Sequence, residues 1–177
     1  MSGYLEIIIG PMFSGKTSYL IDIYNKNEMF DTLPKVINYS LDTRYDDKML
    51  SSHDLVKIPC SFASNIKDEL EYCMNSDVIL INEGQFFPDL KETVIELVEK
   101  HNKKVYICGL DSDFKRNKFG DLLDLIPYCN KVTKLNAKCE CGEAAIHSHR
   151  KVSSDEQVLI GSDNYQPLCR KCYHEKN

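Results

Sequence analysis

The chain has 177 residues, 42% of them hydrophobic and 28% charged, with a formal net charge of −5. This composition fits one ordinary soluble domain with a small appendage, and the acidic balance speaks against a nucleic-acid partner. No apolar run approaches the ~20 residues of a membrane span, and the opening MSGYLEIII lacks the basic flank and cleavage site of a secretory leader, so no membrane contact and a cytoplasmic, thiol-reducing compartment are expected.

Tyr4 to Ile9 is short, apolar and isoleucine-rich, which predicts a buried strand. Residues 16–25 follow with helical spacing of Tyr19, Leu20 and Ile23. Val36 to Tyr39 reads as a second strand and Val56 to Pro59 as a third. Ser64 to Met74 predicts a helix through Ile66, Leu70 and Cys73. Val78 to Ile81 is wholly apolar and reads as a strand. Asp89 with Glu92 three residues on has the pattern of a capping box, ahead of a helix with a buried stripe of Leu90, Val94, Leu97 and Val98. Val105 to Gly109 and Val132 to Leu135 complete the strands; Cys108, inside the former, is expected in the core. Apolar strands alternating with amphipathic helices predict an α/β fold, a mostly parallel sheet with helices on both faces.

The pattern changes near Asn136, which divides a core of residues 1–135 from a tail of residues 136–177. Four of the chain's eight cysteines fall in that tail, as Cys139, Cys141, Cys169 and Cys172. A segment this short buries little core, and paired cysteines in a reducing compartment favour a metal over disulfides. Four thiolates make a closed tetrahedral site, so structural Zn²⁺ is expected, with free thiols or a redox pair as alternatives.

Residues Gly10, Pro11, Met12, Phe13, Ser14, Gly15, Lys16 and Thr17 fit the P-loop pattern G-x-x-x-x-G-K-[ST], placed between a predicted strand and a predicted helix. Glycines let backbone N–H groups turn toward phosphates, Lys16 can reach the β- and γ-phosphates, and the Thr17 hydroxyl can ligate Mg²⁺. Val78 to Ile81 delivers Asn82 and Glu83 to the carboxyl end of its strand, where ligands gather in open α/β sheets. Glu83 could support the metal or accept a proton, or both residues could merely begin a surface turn. Asn82 brings an amide oxygen but no charge where such strands often end in aspartate. Metal support then leans on Thr17 and the ATP oxygens, and weaker Mg²⁺ affinity is expected.

GPMFSGKT at 10, DTRY at 42, NEGQFFPD at 82, LDSDFKRNKFGDLLDLIP at 110 and IGSDNYQPLCRKC at 160 occur together in one order and spacing. With these motifs the chain resembles the zinc-containing thymidine kinases of cellular and poxvirus type. The resemblance implies a P-loop core, a small zinc-stapled lasso domain, and transfer of the ATP γ-phosphate to the 5′-hydroxyl of thymidine in pyrimidine salvage, with deoxyuridine an open second acceptor. It implies Glu83 as general base and Arg44 beside the transferred phosphoryl group, where Arg44 would otherwise read as a surface ion-pair residue. Asp42 belongs to the same motif as Arg44. Met12, Phe86, Leu110, Phe114 and Phe119 are implied to enclose the thymine ring, although each alone reads better as core; Phe114 and Phe119 flank charged residues in a loop-like stretch. Ser148, where the family has threonine, and Val158, Ile160, Gly161 and Tyr165 match the loop that closes over the nucleoside. His147 and His149 read as exposed polar residues. Cys139-Glu-Cys141 is one residue shorter than the family's first cysteine pair. The resemblance also implies a homo-tetramer or dimer and feedback inhibition by the triphosphate end product. An alternative reading is a nucleotide-binding protein weakened as a catalyst by Asn82.

Overall fold

The computed structural model describes residues 2–29, 33–42, 49–52, 55–154, 156–159 and 161–177. Six strands form one sheet: β1 (Tyr4–Ile9), β2 (Lys35–Tyr39), β5 (Ser61–Ala63), β6 (Val78–Ile81), β7 (Lys104–Gly109) and β8 (Lys131–Lys134). Their order is β5-β2-β6-β7-β1-β8, and every pair is parallel. Strand pleating sends Leu5, Ile7 and Ile9 to one face and Ile8 to the other. The first face packs on helix α3 (Leu90–Ile95) through Leu90 and Val94, with Leu97 in the π turn that follows; the second packs on α1 (Lys16–Glu28) through Leu20, Ile21 and Tyr24. Both faces are covered, as the alternating pattern predicts, and the carboxyl ends of β1, β6 and β7 share one edge.

The structure corrects several local expectations. Val56 to Pro59 does not join the main sheet; Lys57–Pro59 forms β4, paired antiparallel with β3 (Met49–Ser51). The sheet takes β5 instead, a three-residue edge strand with too little apolar signal to read. Ser64 to Met74 divides into a 3-10 turn, Ile66–Glu69, and helix α2, Leu70–Met74. Asp89 does not cap its own helix: its carboxylate accepts from the N–H groups of Ile66 at 3.0 Å and Lys67 at 2.8 Å, capping the 3-10 turn. Those two amides start the turn and have no helical acceptor of their own, so a carboxylate from elsewhere serves them.

Beyond residue 136 the chain makes two small antiparallel pairs, β9 (Ala137–Lys138) with β10 (Ala144–Ala145) and β11 (His147–Arg150) with β12 (Tyr165–Leu168). A helix also forms there, α4 (Arg170–Lys176), with Cys169 Sγ accepting from Cys172 N–H at its start. Ala137, Ala145, Leu168 and Tyr173 share a separate small core with Cys139, Cys169 and Cys172. His147 and His149 are half-buried against Tyr173, His147 with its ring centroid 4.7 Å away, and are not exposed as expected. Between β11 and β12, Gln157, Val158, Leu159 and Gly161 line a cavity shared with Lys16 and Glu83 at the carboxyl edge of the main sheet.

Candidate active site

The loop after β1 ends at Gly15, whose φ of 80° lies in the left-handed region that glycine occupies without cost, and α1 begins at the next residue. The N-terminus of α1 thereby lines a cavity of about 250 Å³, an end whose dipole favours anions. Lys16 is buried there, its Nζ donating to Pro11 O at 2.7 Å and Ser14 Oγ at 3.4 Å, two partners that phosphate oxygens could replace. Across the cavity, at the end of β6, Glu83 lines the wall, and the buried Asn82 before it is not among the lining residues. Glu83 has φ 56° and ψ 43°, a conformation that costs a non-glycine residue on the order of 1 kcal/mol. A 3-10 turn holds it, with Phe86 N–H donating to Glu83 O at 3.1 Å.

Asn82 is 1% exposed and fully engaged. Its Oδ1 accepts from Thr17 Oγ1 at 3.4 Å and Cys108 Sγ at 2.9 Å, and its Nδ2 donates to Asn38 Oδ1 at 2.8 Å. Burial, with the Glu83 carboxylate adding, pushes the Cys108 thiol up to about 12, so it stays a protonated donor. Thr17 and Asn82 thus present oxygen atoms side by side, the donor type magnesium prefers.

Much of the rest of the wall is apolar. Met12, Phe86, Leu110, Phe114, Phe119, Val158, Gly161 and Tyr165 line the same cavity as Lys16, Thr17 and Glu83, together with Ser148. Phe86 stacks on Tyr39 at 5.1 Å and meets Phe119 edge-on at 5.3 Å. Ser148 Oγ accepts from Met12 N–H at 3.0 Å, tying β11 to the phosphate loop. Phe13, Ser14 and Gly15 also line the cavity; Gly10 and Pro11 lie behind it. Arg44 and Ile160 fall outside the described residues. Sequence reasoning missed Tyr39, Leu41, Ser112, Asp113, Gln157 and Leu159. Asp113 takes N–H bonds from Lys115 and Asn117 and an amide bond from Gln157 at 3.0 Å, fastening the covering loop. No signal in the sequence marked it, because a loop aspartate reads alike whether it is buried or solvated.

Arg150 organises that loop. Its Nη1 donates to the carbonyls of Ser154 and Glu156, and its Nη2 donates to Gln157 O at 3.0 Å and to the Tyr165 hydroxyl at 2.7 Å. The guanidinium lies 3.8 Å from the Phe114 ring centroid.

The thiols of Cys139, Cys141, Cys169 and Cys172 all lie within 4.8 Å of one another, with Cys141 and Cys169 sulfurs 3.7 Å apart. Zn–S bonds of about 2.3 Å in a tetrahedron need S···S edges of about 3.8 Å, so the cluster fits zinc despite its short first pair. Bonding from the Cys169 backbone brings the Cys139 thiol down to about 6, whereas the neighbouring thiols of Cys141 and Cys169 push Cys172 up.

A parallel α/β sheet with a P-loop facing a carboxylate across an apolar pocket defines a nucleotide-dependent phosphotransferase with a small acceptor. A family model described as thymidine kinase matches residues 3–173. The chain is 40% identical over 173 residues to the thymidine kinase of sheeppox virus (strain KS-1), covering 97% of each chain. It is 38% identical to the thymidine kinase of Bacteroides thetaiotaomicron, over 97% of this chain and 87% of that one, and 36% identical to the cytosolic thymidine kinase of Gallus gallus, over 98% and 78%. The chain belongs to the thymidine kinase family, and membership makes it an ATP-dependent nucleoside kinase. Among the described residues no helix is long and apolar enough to cross a membrane.

Proposed function

We propose that the chain transfers the γ-phosphoryl group of ATP to the 5′-hydroxyl of thymidine, with Glu83 as proton acceptor. The observation that carries this is the convergence of Lys16, Thr17 and Glu83 on one cavity whose remaining wall is largely apolar. The phosphates lie along residues 10–17 and the N-terminus of α1. The base lies in the slot formed by Met12, Phe86, Leu110, Phe114 and Phe119, under Val158, Gly161 and Tyr165, with Ser148 at its side and Ile160 assigned there by resemblance alone. Glu83 takes the 5′ proton as the sugar oxygen bonds to the γ-phosphorus and the bond to the β–γ bridging oxygen breaks, releasing ADP. Lys16 and, by resemblance, Arg44 stabilise charge on the transferred group. Thr17 and Asn82 would hold a magnesium ion, which when bound with ATP neutralises charge on the phosphates.

The same reading keeps the division at residue 136, gives zinc a structural place on the four cysteines, and puts the enzyme in the cytoplasm as a homo-tetramer or dimer inhibited by its triphosphate end product. Purified protein with ATP, Mg²⁺ and radiolabelled thymidine should yield the 5′-monophosphate. Lys16→Met or Glu83→Gln should lower kcat by about 10²–10⁴-fold. Thymidine binding without product in the native protein would favour the weakened nucleotide binder instead, for which no observation speaks.

A further inference from the structure

Gln85 stands two residues beyond Glu83 in the 3-10 turn Gly84–Phe86 and is 3% exposed. Its Nε2 donates to Glu83 Oε2 at 2.5 Å, and its Oε1 accepts from Leu110 N–H at 3.0 Å. The orientation of the amide is forced, because an ionised carboxylate only accepts and a peptide N–H only donates. The slot is close-fitting as well: a Cβ on Gly109 would come within 2.4 Å of Gln85 Oε1. One rigid planar group therefore spans the distance from the carboxylate to the backbone of a residue that lines the base slot. Few side chains can do this. The span needs a donor at one end and an acceptor at the other, without charge, in a site shut from water.

Glu83 has reason to need such a partner. It sits just beyond the end of β6 in a left-handed backbone conformation, so its side chain leaves the chain in a direction the regular strand does not set. A proton acceptor misplaced by about 1 Å loses on the order of 10²-fold in rate. Bases of this kind are commonly oriented by a third group.

We propose that Gln85 is a positioning residue for phosphoryl transfer, a strut that aims the Glu83 carboxylate and links its placement to Leu110 at the nucleoside. The proposal rests on the reading of Glu83 as proton acceptor. Leu110 meets the base while Glu83 meets the sugar oxygen, so the strut sets the distance between the two ends of the acceptor site.

Steady-state kinetics of Gln85→Glu and Gln85→Met, each in the native and the Glu83→Ala background, test it. Gln85→Glu keeps the length and the acceptor for Leu110 N–H but loses the donor to Glu83. We expect its kcat to fall about 10–100-fold, with thymidine KM within about twofold of native. Gln85→Met loses both bonds, and its thymidine KM should also rise about tenfold because the Leu110 N–H is left unpaired. In the Glu83→Ala background, Gln85→Glu should cost nothing further. Native kcat in Gln85→Glu, or the same fractional loss with and without Glu83, overturns the strut. High kcat in Glu83→Ala alone would instead overturn the assignment of the proton acceptor, a different result. A readout independent of folding defects in Gln85 variants is the Gln85 side-chain amide resonance in otherwise native protein. It should shift on Glu83→Gln, and an unmoved resonance also overturns the proposal.

Discussion

Thr17 and Asn82, from α1 and the end of β6, meet where Thr17 Oγ1 donates to Asn82 Oδ1 at 3.4 Å. The amide belongs to a network that it saturates: Cys108 gives it a second donor, Asn38 takes one of its N–H groups, and Asp42 Oδ2 accepts from the same nitrogen at 3.5 Å. An aspartate there would turn an oxygen toward Asn38 and Asp42. Rotating the Asn38 amide would restore one donor but leave Asp42 facing a second carboxylate. Asn82→Asp is therefore expected to destabilise the free protein by about 1–3 kcal/mol. Mg²⁺ with ATP should return much of that loss, and turnover at limiting Mg²⁺ should rise. Melting curves with and without Mg²⁺–ATP, beside rates across a Mg²⁺ series, check both halves; an unchanged melting temperature would show that the network does not discriminate amide from carboxylate.

Arg150 holds the covering loop through three carbonyls and a phenol while stacked on Phe114. Lysine can replace the charge but not a planar fork that donates in several directions at once. Arg150→Lys should raise thymidine KM by about 10–100-fold, the equivalent of one or two lost charge-assisted bonds, and leave ATP KM within about twofold. Equal changes in both KM values would mean that the loop serves the whole cavity and not its nucleoside end.

The cysteine cluster reaches the same slot by another route. Tyr173, in the small core with Cys139, Cys169 and Cys172, donates its hydroxyl to Phe114 O at 2.5 Å. A core of so few side chains cannot hold itself, so the metal is expected to supply its folding energy. Cys141→Ser, or a strong chelator, should remove stoichiometric zinc measured by elemental analysis, and thymidine KM should rise at least about tenfold as Phe114 loses its anchor. Zinc-free protein with native thymidine KM would separate the staple from the site.

The buried strands were legible because a strand covered on both faces reads as an apolar run, as in Ile7 to Ile9 and Val78 to Ile81. The P-loop was legible for a different reason: its chemistry is local, within eight consecutive residues. Asp89 was misread because its partners come from Ile66 and Lys67, a tertiary contact that no local pattern contains. Gln85, Asp113 and Gln157 escaped for the same reason. A polar side chain in a loop reads alike whether it bonds water or a buried carboxylate. Phe114 and Phe119, each taken alone, read better as core until the resemblance set them beside the base, and their shared cavity with Glu83 is a property of the fold alone.

Glu6 offers a prediction about stability, away from the cavity. It is 4% exposed on β1 and accepts from Thr133 Oγ1 at 2.7 Å, Lys131 Nζ at 3.0 Å, Tyr4 OH at 3.1 Å and Tyr19 OH at 3.1 Å. Burial alone would push its carboxyl up, but the bonds from Thr133, Lys131 and Tyr4 outweigh that and hold it below the ordinary carboxylate range. The unfolded chain therefore takes up the proton first as pH falls. The stabilisation is complete above the unfolded pKa, about 4.3, and drains away as pH drops through the lower folded value. Glu6→Gln resembles the protonated side chain, so it should be less stable than native by about 1–3 kcal/mol at pH 7, with the gap narrowing below about pH 4. Denaturant unfolding of both proteins from pH 7 to pH 3 measures it. A gap that stays constant across that range would mean that Glu6 contributes through shape and not through its charge.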